Sequence, residues 1–287
     1  MICWKEYDNM PRLGIVIDSE NCMSCYNCFM ACRDEHCGHA TKLSAPQPHE
    51  GHKWMDIREK ERGDDNRLVK TASVPTPCSH CHDPACKKAA APGAVYIRDD
   101  GIVILDPAKA AGQRAIVSAC PIGAVYWNDA LQLPQKCTMC AELLDEGFAQ
   151  PRCVGVCPND AMLFGDLDDP ESDVSKRITR SRMTQLPELG GASTNVIHLN
   201  IPTVYLAGCV YSPLDEAVEG ATVTLTDTRS GSVFTAKTNF FGDWMIEWLD
   251  IDAEYELLIE ASGYSPSMSL VIAYTDRFFG ETILQPD

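Results

Sequence analysis

No stretch of the 287-residue chain approaches the roughly 18–20 consecutive apolar residues of a membrane-spanning helix. Cations are scarce: 24 Lys and Arg stand against 41 Asp and Glu, a net charge of −17. A nucleic-acid partner needs a basic face, so this balance argues against one. Behind the charges of residues 1–12 there is no hydrophobic run, so neither a secretory nor a twin-arginine leader is read there and a cytoplasmic protein is expected. No nucleophile–base pair, P-loop or dinucleotide fingerprint is visible, and no catalytic site is expected in the chain itself. Cysteine is nearly missing from the second half. Fourteen of fifteen lie before residue 158, and only Cys209 lies beyond. A disulfide framework spreads its bridges through each small domain and uses its cysteines in pairs; the skew and the odd count argue against one.

What the first half holds is cysteine at metal-cluster spacing. Cys22-x2-Cys25-x2-Cys28-x3-Cys32 matches the bacterial ferredoxin run rather than the separated ligand pairs of zinc sites. Three cysteines three residues apart on a curled loop reach three iron corners of one cubane. The fourth lies about a helical turn further on, points away, and belongs to a second cluster. That crossing demands a partner run, and Cys137-x2-Cys140-x12-Cys153-x3-Cys157-Pro158 supplies it. The expected sets are Cys22, Cys25, Cys28 and Cys157 for one 4Fe–4S cluster, and Cys137, Cys140, Cys153 and Cys32 for the next. A third group, Cys78-x2-Cys81-x4-Cys86, has Ala90 where its fourth cysteine would stand, and Cys120-Pro121 closes it. An internal repeat agrees: Gly93-Ala94-Val95-Tyr96 and Gly123-Ala124-Val125-Tyr126 each follow a cysteine region as a short strand would. Cys3, Cys37 and Cys209 are left over, with Cys37 expected as a buried thiol.

These runs resemble the iron–sulfur subunits of the dimethyl-sulfoxide-reductase family of molybdopterin enzymes, which carry four runs and four clusters. Laid on that pattern, Ala110, Gln113 and Ile116 occupy the places of a third run, and Ala90 the end of the second. By the crossing rule these four positions are one ligand set, so one cluster is lost whole and three remain. The resemblance extends through Gly51-His52-Lys53-Trp54-Met55, Gln135-Lys136-Cys137-Thr138-Met139-Cys140-Ala141 and Thr238-Asn239-Phe240-Phe241-Gly242. It implies a large partner subunit, in a heterodimer or higher assembly, holding a molybdenum or tungsten bis-pterin cofactor. It also implies hydroxyl transfer between polyhydroxylated benzenes as the reaction. The alternatives weighed beside it are electron input to a catechol dehydroxylase, and a free-standing polyferredoxin with a docking module.

The fold expected is α+β: a double ferredoxin-like domain over residues 1–165, a linker over 166–202 with about one helical turn, and an all-β domain over 203–287. In that last part Val204, Leu206 and Val210 fall on one face, Val223 and Leu225 alternate with threonines, Trp244, Ile246 and Trp248 alternate with Met245 and Glu247, and Tyr255, Leu257, Ile259 and Ala261 do likewise against Glu256 and Glu260. Turn residues such as Glu219-Gly220 and Gly242-Asp243 separate them. The pattern predicts a sandwich or barrel of transthyretin-like, Ig-like or carboxypeptidase-regulatory-like type. The basic stretch Lys176 to Arg182 is expected to be solvated. His80 and His82 flank Cys81 and could tune a cluster through hydrogen bonds to sulfur, but are expected as ordinary loop histidines; Lys136 and Arg152 stand beside cluster cysteines, where a cation would raise a cluster's potential. His52, Trp54 and Met55, inside a long connection, are expected either to face a partner or to cap the first domain.

Overall fold

Leu-Gly-Ile-Val-Ile-Asp, residues Leu13–Asp18, is buried almost end to end, which suits a strand covered on both faces. It lies in a four-stranded sheet, paired antiparallel with Met162–Asp166 and parallel with Val196–Leu199, with Met183–Thr184 on the outer edge. The computed structural model of the chain describes residues 10–63 and 69–287; Cys3 lies outside them. The chain divides into two units, one holding the residues up to Glu59 with Ser73–Ile201, the other Lys60–Ala72 with Pro202–Asp287.

In the first unit, helices are few and most are one turn long. The exceptions among the described residues are Asn27–His36 and Asp173–Arg180. Two small hairpins, Val95–Ile97 with Val103–Leu105 and Val125–Asn128 with Leu133–Lys136, are the repeat seen in sequence. Trp54 and Met55, 1% and 2% exposed, are packed into the core with Ile15, Ile17 and Ile104, so they cap this unit.

The segment 166–202, expected as a linker, is built into this unit. Ser172 caps the helix Asp173–Arg180 by accepting from the Ser175 N–H, and Val174 packs with Val16, Leu167 and Leu199. Arg177 pairs with Asp18 at 3.0 Å and Lys176 with Glu171 at 3.2 Å, so part of the basic stretch is engaged rather than merely solvated. The sequence misled because the apolar stripe here is short and two of its partners, Val16 and Asp18, lie more than a hundred residues back.

The second unit has two sheets. Val204–Tyr211 lies between Asp243–Leu249 and Arg277–Ile283; the other sheet runs Val233–Lys237, Thr222–Asp227, Glu254–Glu260, Ser267–Ile272. Both contribute to one core, Leu206, Val210 and Ile246 from the first and Val223, Leu225, Tyr255 and Leu257 from the second. From Thr222 onward the predicted alternation holds except at Trp248, whereas Val204–Tyr211 is buried on both faces as far as Val210. The register slips between Val204 and Leu206, Trp248 takes φ +67°, and Leu249 enters the core in its place. A bulge of this kind shifts every later side chain to the opposite face. Arg62 and Asp276, 5% and 6% exposed, form a two-pronged ion pair at 2.9 and 2.7 Å. Asp276 also accepts from the Tyr205 N–H, and the Arg62 guanidinium lies over the Tyr205 ring.

The central strand Leu13–Asp18 is fitted without slack. A Cβ added at Gly14 would stand 2.4 Å from the Asn195 carbonyl oxygen and 2.4 Å from a Leu167 methyl carbon. A backbone oxygen in a sheet cannot step aside. Gly14→Ala is therefore expected to lower the unfolding free energy by roughly 1–3 kcal/mol, measured by chemical denaturation; an unchanged midpoint would refute this packing account.

Candidate metal centre

The first cysteine run begins in a loop and ends in the helix Asn27–His36. Ser24 and Tyr26, the residues between its first three cysteines, take positive φ of 56° and 59°. Side chains there cost energy, and the left-handed steps curl the loop so that successive cysteines turn inward. The partner run repeats the device with Met139 and Cys140 at φ 56° and 50°. The Met139 N–H donates to the Cys137 sulfur at 3.2 Å, and the Ala124 N–H donates to Cys120 at 3.3 Å. The helix Asn27–His36 packs against the short helix Arg152–Gly155, which brings the ends of the two runs together.

Three groups of thiols result. Cys22, Cys25, Cys28 and Cys157 lie close enough to act on one another electrostatically. Cys32 stands instead with Cys137 and Cys140, and Cys153 with Cys140, Cys137 and Cys32. Cys81 neighbours Cys78, Cys86 and Cys120. The groups adjoin in a row: Cys28 meets Cys32 and Cys153, and Cys137 meets Cys78. No three His, Cys, Asp or Glu side chains among the described residues converge as ligands of one ion would. None of the fourteen described cysteines is in a disulfide.

Electrostatics show what these groups lack. Burial pushes the Cys28 and Cys137 thiols up to about 12, and those of Cys81 and Cys86 to about 11, with neighbouring thiolates adding to the shift. Cys32 and Cys153, fully enclosed, are held well above the ordinary range for the same reasons. Thiolates crowded in a poorly solvated interior need positive charge among them. The core of an iron–sulfur cluster supplies it, and N–H···S bonds from a curled backbone suit its sulfur ligands. The residues present fit such a group.

The four positions matching the missing set also come together, without any ligand. Ala110 and Ile116, each 0% exposed, pack with Val95, Val103, Leu105 and Val125, and Ala90 packs against the same cluster. The Gln113 side chain accepts from the Ala91 N–H at 2.8 Å and donates to the Lys109 carbonyl at 2.6 Å, tying the two loops.

The flanking groups divide. His80 is no exposed loop residue: it is fully buried, and its Nδ1 accepts from the Val103 N–H at 3.0 Å, pinning the Cys78–Cys81 loop to that strand. His82 is exposed and bonds to Asn195 at 2.9 Å. Arg152 is about half exposed and paired with Glu35, whereas Lys136 is buried at 2%. Cys37 is half-buried beside His49 at 3.2 Å, outside every group; Cys209 is buried in the second unit. Sequence reading missed His36. It lies one helical turn past Cys32, stacks on Trp54 with ring centroids 5.0 Å apart, and its Nε2 is 3.6 Å from the Cys140 sulfur. Burial lowers its pKa to about 4, and its Nδ1 lies 3.3 Å from a buried Glu142 carboxylate oxygen. Its spacing of four from Cys32 was the available signal.

Comparison with known proteins finds relatives of both parts of the chain. Residues 69–167 match the model of a 4Fe–4S dicluster domain, and residues 205–277 that of a carboxypeptidase regulatory-like domain. The chain is 37% identical over 273 residues to the pyrogallol hydroxytransferase small subunit of Pelobacter acidigallici, covering 92% of this chain and 96% of that one. It is 33% identical to a putative dimethyl sulfoxide reductase iron–sulfur subunit of Halobacterium salinarum, over 67% of this chain and 80% of the relative. It is 34% identical to a sulfite dehydrogenase subunit of Allochromatium vinosum, over 65% and 82%.

The raised thiols make a pH test. A group with a raised folded pKa stabilises the fold below its ordinary value and loses that contribution as pH rises through the folded value. With 9.0 as the ordinary value and about 11–12 in the fold, iron-free protein should lose thermal stability progressively across that range. Iron-loaded protein, its sulfurs already deprotonated onto metal, should decline less. Identical pH profiles for the two forms, measured by calorimetry, would contradict the buried-thiol account.

Proposed function

The chain belongs to the family of iron–sulfur subunits that includes the pyrogallol hydroxytransferase small subunit and the iron–sulfur subunits of dimethyl-sulfoxide-reductase-type enzymes, and on that footing we propose that it carries three 4Fe–4S clusters for a molybdopterin subunit acting on polyhydroxylated benzenes. The observation that supports the reading is that Cys157 stands beside Cys22 and Cys28, Cys32 beside Cys137, Cys140 and Cys153, and Cys120 beside Cys81, as the crossing of the two runs requires. Cys22, Cys25, Cys28 and Cys157 are the ligands of the first cluster, Cys32, Cys137, Cys140 and Cys153 of the second, and Cys78, Cys81, Cys86 and Cys120 of the third. Bound there, the clusters take up and pass on single electrons, at potentials set by burial, charge and hydrogen bonds to sulfur. The chain's own residues hold the sulfurs in place, exclude water from the inner sets, and supply the N–H donors. The row in which the groups adjoin is the conducting order.

The reaction proposed for the complex is hydroxyl transfer between polyhydroxylated benzenes, one ring losing the hydroxyl that the other gains. It is redox-neutral overall and consumes no external reductant. The anaerobically purified complex, given a trihydroxybenzene and a tetrahydroxybenzene as hydroxyl donor, is therefore expected to form a different trihydroxybenzene isomer with no electron donor added. Turnover that appears only with an electron donor overturns this in favour of reductive dehydroxylation, and a chain that purifies from its native cell without a pterin subunit overturns the partnership.

The ligand sets have their own check. Three cubanes require about twelve irons per chain. Cys120→Ser is expected to remove about a third of them and leave the other two clusters' spectra intact. A wild-type count near eight or sixteen, or full iron in the variant, overturns the assignment.

A further inference from the structure

Lys136 ends the strand Leu133–Lys136, directly before Cys137, and is 2% exposed. Its ammonium donates to the carbonyl oxygens of Val103 and of Cys137. Among the described residues no carboxylate pairs with it, in a protein with 41 acidic side chains. A buried ammonium held only by two carbonyl dipoles is expensive, and interiors that keep one place an anion beside it.

Its two acceptors tie it to two different cysteine sets: the Cys137 carbonyl belongs to one, and Val103, which takes the ammonium on its oxygen, donates its N–H to His80 Nδ1 inside the Cys78–Cys81 loop of the other. In keeping with that place, its charge opposes the rise that burial imposes on Cys86, Cys120 and Cys137. Arg152, the second cation beside a cluster cysteine, is paired with Glu35 and open to solvent, which screens it.

We propose that Lys136 is the shared counter-cation of two clusters, those of the Cys78 and Cys137 sets, and raises the reduction potential of both. The inference rests on the three-cluster reading above. A cluster with four thiolate ligands is anionic, and each electron makes it more so. A fixed cation in a low-dielectric site therefore favours the reduced form. The same attraction makes the ammonium tolerable where it sits. Because one charge serves two centres, both are shifted in the same direction, while the first set is left to its own surroundings. Lys136 is a positioning and tuning residue and touches no substrate.

The test is an EPR-monitored redox titration of the anaerobic complex, comparing wild type, Lys136→Met and Lys136→Arg. Iron is read first in the wild type: a content far from about twelve overturns the three-cluster reading itself. The signal missing in Cys120→Ser identifies the Cys78 set. With wild-type iron in place, Lys136→Met is expected to lower the midpoints of two of the three signals, one of them that of the Cys78 set, and leave the third unmoved. Lys136→Arg, which keeps the charge, is expected to restore both towards wild type. Three unmoved midpoints, three that move together, or equal shifts in the Met and Arg variants overturn the proposal. Where Lys136→Met sheds iron, retention of iron by Lys136→Arg supports the charge role, and loss from both overturns it.

Discussion

Twelve sulfurs drawn into one small interior repel one another once ionised, and the architecture of the first unit follows from that. The left-handed steps at Ser24, Tyr26, Met139 and Cys140 cost backbone energy to turn thiols inward. The packing of Asn27–His36 on Arg152–Gly155 forces the ends of two distant runs past each other, so that Cys32 and Cys157 change places. In a chain without a cofactor the raised thiols stay protonated, and ionising them costs stability only as pH rises above 9. The unit is arranged around positive charge that the polypeptide scarcely provides, Lys136 being the one buried exception beside these groups among the described residues.

Around this centre the scaffold is ordinary. The sheet on Leu13–Asp18 encloses the cysteine-bearing loops with apolar side chains from both halves of the unit, Ile15 and Ile17 beside Cys28, Cys32, Cys78 and Cys137. Trp54 and His36 pack beside the Cys140 sulfur, and His80 fixes the third loop from beneath. The second unit depends on a different interaction. Its buried Arg62–Asp276 pair ties a segment before residue 72 into strands that come two hundred residues later. Removing either member would strand a charge in the interior.

The parts legible in sequence are those whose cause is local. Cysteine spacing carried the three groups, because a curled loop and one helical turn decide where each sulfur points. The alternation in the second half carried its strands, as far as Ile246. What escaped depends on distant chain. The helix Asp173–Arg180 is anchored by Val16 and Asp18, far back along the chain, so its acidic and basic flanks read as a linker. Trp248 fails as a core residue because a register slip against Val204 reverses the phase, and no local pattern announces a slip. Trp54 looks as well placed for a partner as for a core until its neighbours are known. His36 was readable from its spacing to Cys32 but has no meaning until Cys140, a hundred residues on, is seen beside it.

The apolar cluster of Ala90, Ala110 and Ile116, with Gln113 tying its rim, has a consequence for how such chains change over time. A cysteine introduced alone at any of these places gains no metal. At Ile116 it opens space in a dry core; at Gln113 it cuts two hydrogen bonds between loops; at the alanines it crowds what is now filled. Only the complete foursome would be useful, and every route to it passes through variants worse than the start. Gaining a fourth ligand set by single substitutions is thus uphill at every step until the last.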